Sequence, residues 1–141
     1  LIDGITYPME MHVVNVLVDQ EATASTDYLV LSFLFKMGEE NKFVQEFIDK
    51  IPSHAPSEAN LTPGTVNFTD FLPEPADHEL HEWYHYLGSL TTPPYTESVN
   101  WYVFKNIYTA SPEQIQHLNE IEGNNARHVH ALNQRAVEIE Q

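Results

Sequence analysis

Between Tyr7 and Val18 the polar and apolar positions alternate in a way that predicts a strand, with Met9, Met11 and Val13 on one face and Glu10, His12 and Val14 on the other. From Tyr28 to Phe35 the pattern becomes a near-continuous apolar run, as expected of a strand buried on both faces, and Gly38 ends it. The period then lengthens. Phe43, Val44, Phe47, Ile48 and Ile51 recur at helical spacing between Glu40 and Ile51, and Pro52 stops the helix. Residues 19–27 and 52–66, rich in small polar residues and in Pro and Gly, read as loops. Trp83-Tyr84-His85-Tyr86 is aromatic and strand-like, and Val99 to Phe104 predicts a further strand. Ser111-Pro-Glu-Gln114 opens a second helix, with Ser as N-cap, Pro in the first helical position and Gln closing a capping box; Gly123 ends it. No repeat, low-complexity run or second-domain boundary interrupts the 141 residues.

Two stretches carry candidate chemistry. Gly88-Ser-Leu-Thr-Thr-Pro-Pro-Tyr-Thr-Glu-Ser-Val-Asn-Trp101 sets two adjacent hydroxyls, two prolines and a carboxylate between predicted strands. Pro93 and Pro94 disfavour helical geometry before them, so Thr91 and Thr92 are expected to be held extended. On the first strand, Glu10 shares a face with His12 and can accept the ring's spare N–H, fixing its tautomer. By spacing alone a single histidine is no metal site, and the simpler reading is a half-buried strand whose imidazole satisfies a hydrogen bond. His78, His81 and His85 would form a metal cluster only on a helix, which the aromatic run at 83–86 opposes. His128-Val-His130 has the spacing of two imidazoles on one strand face and receives no assigned role.

Composition narrows the partners. Seven Phe, seven Tyr and two Trp can supply one core, while six basic against 21 acidic side chains give a net charge of −15. Such a balance repels phosphate backbones and anionic lipid, so no nucleic acid partner and no membrane insertion are expected. No apolar run approaches the roughly 20 residues of a bilayer span. Cysteine is absent, so no disulfide reports the compartment. Asn60-Leu-Thr62 and Asn67-Phe-Thr69 match the N-glycosylation pattern, which matters only in a secretory setting.

Gly88-Ser-Leu-Thr-Thr-Pro-Pro94 with Glu97 and Trp101 resembles the active-site loop of the α-class carbonic anhydrases, and Tyr7-Pro-Met-Glu-Met-His-Val-Val14 resembles the strand that bears the third zinc histidine of that family. Val30 to Gly38, Asn67 to Pro73, and Asn124-Asn-Ala-Arg127 with Leu132-Asn133 keep the order and spacing of its second half. The resemblance implies a mixed α/β, mainly β fold, in which residues 1–141 are the C-terminal portion of a single domain built on a large twisted, mostly antiparallel sheet with short peripheral helices. It implies Zn²⁺ as cofactor, with His12 a ligand through Nδ1, and reversible hydration of carbon dioxide to bicarbonate by hydroxide available near neutral pH. In that scheme Thr91 orients the hydroxide, Thr92 and the Thr91 backbone hold bicarbonate, and Val14, Val30, Leu90, Val99 and Trp101 form the apolar wall for carbon dioxide. Glu10 and Glu97 would support the site from behind. The family's His-x-His zinc pair and its proton-accepting acid would precede Leu1, so the resemblance implies a site completed by an upstream segment or by a further chain, with the 141 residues alone inactive. A non-catalytic assembly or binding subunit on the same fold is the alternative. Tyr95 stands where many bacterial-type relatives have Cys, which removes one clue to secretion, although the family favours a secreted, periplasmic or organelle-lumen setting.

Overall fold

A computed structural model describes residues 1–16, 27–52, 61–68, 71 and 82–140. The elements in chain order are β1 (Met9–Val16), β2 (Tyr28–Met37), α1 (Lys42–Ile48), β3 (Trp83–Gly88), β4 (Val99–Ala110), α2 (Pro112–Glu122) and β5 (Glu138–Glu140). Among the described residues the strands form one five-stranded sheet in the order β1-β2-β4-β3-β5. Among the described residues only β2 and β4 run parallel; the other three pairings are antiparallel. The fold is therefore mainly β with two short helices, as the apolar pattern and the resemblance both led one to expect.

Register separates the sheet into two faces, because residues directly paired across strands point the same way. Met9 opposite Phe35 and Met11 opposite Phe33 face the helices. There Phe33, Phe35, Phe43, Val44, Ile48, Phe71 and Phe104 are buried in one cluster, with Ile115 and Leu118 of α2 packed against it. Phe33 lies 4.5 Å from the Phe104 ring and 5.0 Å from that of Phe71. The opposite face carries Glu10, His12 and Val14 of β1, paired with Leu34, Ser32 and Val30 of β2, and beyond them Trp101 and Tyr86. Burial on both faces is confined to Ser32–Phe35 of the long apolar run, and Leu29 near the strand start is exposed.

The two helices are joined through Gln114. Its side chain closes the expected capping box with Ser111 and also bonds the Asn41 backbone at the start of α1, accepting from N at 3.0 Å and donating to O at 2.9 Å. Asn41 in turn caps α1 by accepting from Val44 N, and donates to Thr109 O. Gly38, just past β2, is required by close approach, since a Cβ there would sit 2.7 Å from Thr109 Cγ2.

Several sequence expectations need correction. β4 continues six residues past Phe104 to Ala110. The register shift between Ser32 and Leu34 absorbs the polar Lys105 and Asn106, after which Leu34 to Met37 resume pairing with Ile107 to Ala110. α1 is shorter than the apolar period indicated, ending at Ile48. The chain bends at Thr91 and Thr92 instead of running extended, because it turns at Pro93–Pro94 and closes with Tyr95 N donating to Thr92 O at 2.9 Å. His128 and His130 lie outside any strand, so no strand face aligns them. Trp83 and His85 do share one face of β3. His78, His81, Asn60 and Thr69 lie outside the described residues, while Asn67 is exposed.

Candidate active-site face

Glu10 is the centre of the polar cluster on the open face of the sheet. Its Oε1 lies 2.8 Å from His12 Nε2 and accepts a hydrogen bond from Ser32 Oγ at 2.6 Å. The first contact follows from i, i+2 alternation along β1; the second arises because Ser32 is the cross-strand partner of His12. Burial by itself would raise the Glu10 carboxyl, but the hydrogen bonds from His12 and Ser32 hold it below the ordinary carboxylate value. The same negative charge reaches across the face. Burial pushes the Tyr86 phenol up and Glu10 adds to the rise, with Arg135 opposing it.

His12 is positioned on two sides. Its ring and that of Trp101 form a T-shaped pair with centroids 4.8 Å apart at 70°, while Nε2 is engaged by Glu10. Nδ1 has no hydrogen-bond partner among the described residues, leaving it available as a ligand atom. Trp101 is itself fixed, being buried against Val30 and Val99 with Tyr28, Tyr86 and Leu90 packed alongside, and donating from Nε1 to Ser89 O at 3.1 Å. Gly88 makes room for it, because a Cβ there would lie 2.9 Å from Trp101 Cδ1.

The loop 89–98 is held from below by Arg127. Its Nη1 donates to Ser89 Oγ at 2.7 Å and to Leu90 O at 3.0 Å, and its guanidinium lies 4.2 Å over the Tyr95 ring. Leu90 N bonds Thr96 O across the loop. Thr91 and Thr92 are left exposed at the bend, with no side-chain hydrogen bond among the described residues. Thr91 shares with Glu10, Glu97, Trp101 and Arg127 the walls of an open cavity of about 1210 Å³.

Of the residues singled out in the sequence, then, His12, Glu10 and Trp101 are brought into contact, and Val30, Val99, Trp101 and Leu90 into one apolar cluster. Val14 stands at the rim, 58% exposed. Glu97 is exposed and makes no ion pair or hydrogen bond with His12 or Glu10. No group of three metal-ligating side chains occurs among the described residues. His85 belongs elsewhere, stacked on Tyr102 at 4.6 Å with Nδ1 3.5 Å from Glu138 Oε2 on the other face.

The eukaryotic-type carbonic anhydrase family model matches residues 1–141. The chain belongs to the α-carbonic anhydrase family. Alpha carbonic anhydrase 3 of Arabidopsis thaliana is 34% identical over 140 residues, which is 96% of this chain and 47% of that relative. A carbonic anhydrase of Nostoc sp. is 32% identical over 136 residues, again 96% of this chain and 47% of the relative. Among solved structures, the α-carbonic anhydrase of Thermovibrio ammonificans, in complex with sulfanilamide, superposes with a TM-score of 0.77 at 32% identity, covering 95% of this chain and 54% of that one. That of Photobacterium profundum superposes at 0.73 and 32% identity, covering 95% and 56%. The chain thus spans about half the length of the curated relatives it matches.

Two residues of this face are not legible in the sequence. Ser32 sat unremarked in an apolar run, although a lone hydroxyl in a buried strand must find an acceptor. Arg127 lies in a segment that carries only the family resemblance; its partners Ser89 and Leu90 are 38 and 37 residues away, and nothing local announces them.

Proposed function

We propose that this chain forms part of the active site of a carbonic anhydrase that interconverts carbon dioxide and bicarbonate, with His12 one of three imidazoles on Zn²⁺. The observation that carries the reading is the 2.8 Å contact between His12 Nε2 and Glu10 Oε1, which leaves Nδ1 without a partner beside Trp101. A metal-ligating imidazole ordinarily gives its other N–H to a carboxylate, so the donor set suits a zinc ligand. A catalytic zinc takes three protein ligands and keeps one position open, so this reading needs two ligands besides His12; we take them to come from a further segment or a further chain, with residues 1–141 alone inactive. When bound, the metal supplies hydroxide near neutral pH.

The chain's own residues then orient and receive. Thr91 Oγ1 would accept a hydrogen bond from that hydroxide and donate one from its own O–H to a carboxylate outside the described residues, so that the hydroxide's lone pair would be directed toward carbon dioxide. Glu97, exposed on the same loop, supports that loop and does not replace the carboxylate. Leu90, half-buried, and Val14 present apolar surface, backed by buried Val30, Val99 and Trp101. Carbon dioxide is linear and apolar, so it displaces water from such a wall at little desolvation cost. Thr92 and the Thr91 backbone, exposed at the bend, hold the bicarbonate oxygens.

The test is His12→Ala in the complete protein, with zinc content measured by atomic emission after gel filtration. Stoichiometric zinc should be lost while the fold is kept. Full occupancy in the variant would overturn the reading.

A further inference from the structure

Among the described residues two polar side chains are buried, Gln114 and Ser32. Gln114 is accounted for by the bonds that join the helices. Ser32 is 0% exposed on the site face, and its hydroxyl donates to the same Glu10 oxygen that faces His12. We infer that Ser32 is a positioning residue for His12, acting through Glu10 to hold the imidazole in the orientation that presents Nδ1; this rests on the reading of His12 as a zinc ligand.

The geometry supplies the reason. The Glu10 side chain is 43% exposed, and the terminal torsion of a glutamate is broad, so one bond to His12 would leave the carboxylate free to swing toward solvent. A second donor from the neighbouring strand removes that freedom. Ser32 is short and enclosed, so its hydroxyl cannot turn to water; without Glu10 it would be an orphaned donor. Each therefore keeps the other in place. One carboxylate oxygen has lone pairs for both donors, at 2.6 Å from Ser32 and 2.8 Å from His12, and the two come from directly opposed positions on β1 and β2. With Nε2 held from one side and the Trp101 ring packed against the imidazole, His12 is left little choice of rotamer.

Ser32→Ala tests this in the complete protein, because alanine fills most of the space and leaves no buried polar group unpaired. Two quantities are read: zinc affinity by chelator competition, and, in metal-free protein, the His12 Nε2–H signal by proton–nitrogen NMR. Direct partners of a metal-bound imidazole cost about 10–100-fold in affinity when removed, so a group acting through such a partner should cost about 3–10-fold. In Ser32→Ala the Nε2–H should exchange faster with water. In a Glu10→Ala background, which removes the shared acceptor, the same change should cost nothing further, as expected when two residues act along one line. Equal losses in both backgrounds, or no loss together with an unaltered Nε2–H signal, would overturn the inference. His12→Ala that retained zinc would instead defeat the ligand assignment, and the NMR signal would still judge whether Ser32 fixes the Glu10–His12 pair.

Discussion

On the helix-covered face, β2 buries Phe33 and Phe35 among rings from α1, β4 and Phe71; on the opposite face the same strand turns Val30, Ser32 and Leu34 toward Glu10, His12 and Trp101. The first set is apolar, interlocked and held by contact area. The second is directional, built from a carboxylate, an imidazole and a hydroxyl whose value lies in where their atoms point. A period of two lets adjacent residues on one strand serve both demands. The difference implies that damage to one face should register as lost stability and damage to the other as lost chemistry.

The largest effect is expected from Phe33→Ala. It removes a wholly buried ring stacked on Phe104 and should cost about 3–5 kcal/mol, read as a lower urea midpoint. A loss below about 1 kcal/mol, the scale of an ordinary surface change, would show that the aromatic cluster is not the stabilising face. Next, Thr91→Ala in the complete protein should slow carbon dioxide hydration by about 10² with zinc and urea midpoint unchanged, the scale for losing a positioned hydrogen-bonding group. An unchanged rate would sever the loop from the chemistry.

The smallest effect concerns pH. Glu10 sits below its unfolded value in the folded protein, so its contribution to stability is present above the ordinary glutamate value of about 4.5 and is lost as pH falls through the lower folded value. Because the carboxylate is partly open to water, screening keeps the contribution small. Comparing urea midpoints at neutral and acid pH, Glu10→Gln should show a slightly flatter dependence than the parent. A steeper one would mean that the His12 and Ser32 bonds do not favour the ionised form.

Much of this division could be read from the residues. Alternation from Met9 to Val14 assigned Glu10 and His12 to one face, and Ser111 with Gln114 announced their capping box, because both signals are local. The family was legible in the loop Gly88–Trp101 and in the His12 strand, where several unusual residues recur together. What escaped was long-range. The extension of β4 depends on a register shift against β2, Gln114 finds Asn41 across 73 residues, and β5 exists through its pairing with β3. The bend at Thr91–Thr92 escaped for a different reason: proline restrains the preceding residue's torsions but does not dictate where a turn closes.

The parallel seam between β2 and β4 sets the order in which such a chain can assemble. β1 pairs with β2 and β3 with β4 through neighbours close in sequence, whereas Tyr28 meets Val99 and Met37 meets Ala110 only after an excursion of about seventy residues, a costly loop to close. On the ribosome, at about 5–20 residues per second, β2 therefore waits several seconds for its second partner. Throughout that interval Phe33 and Phe35 lack Phe104, and one edge of β2 stands open to any other strand it meets.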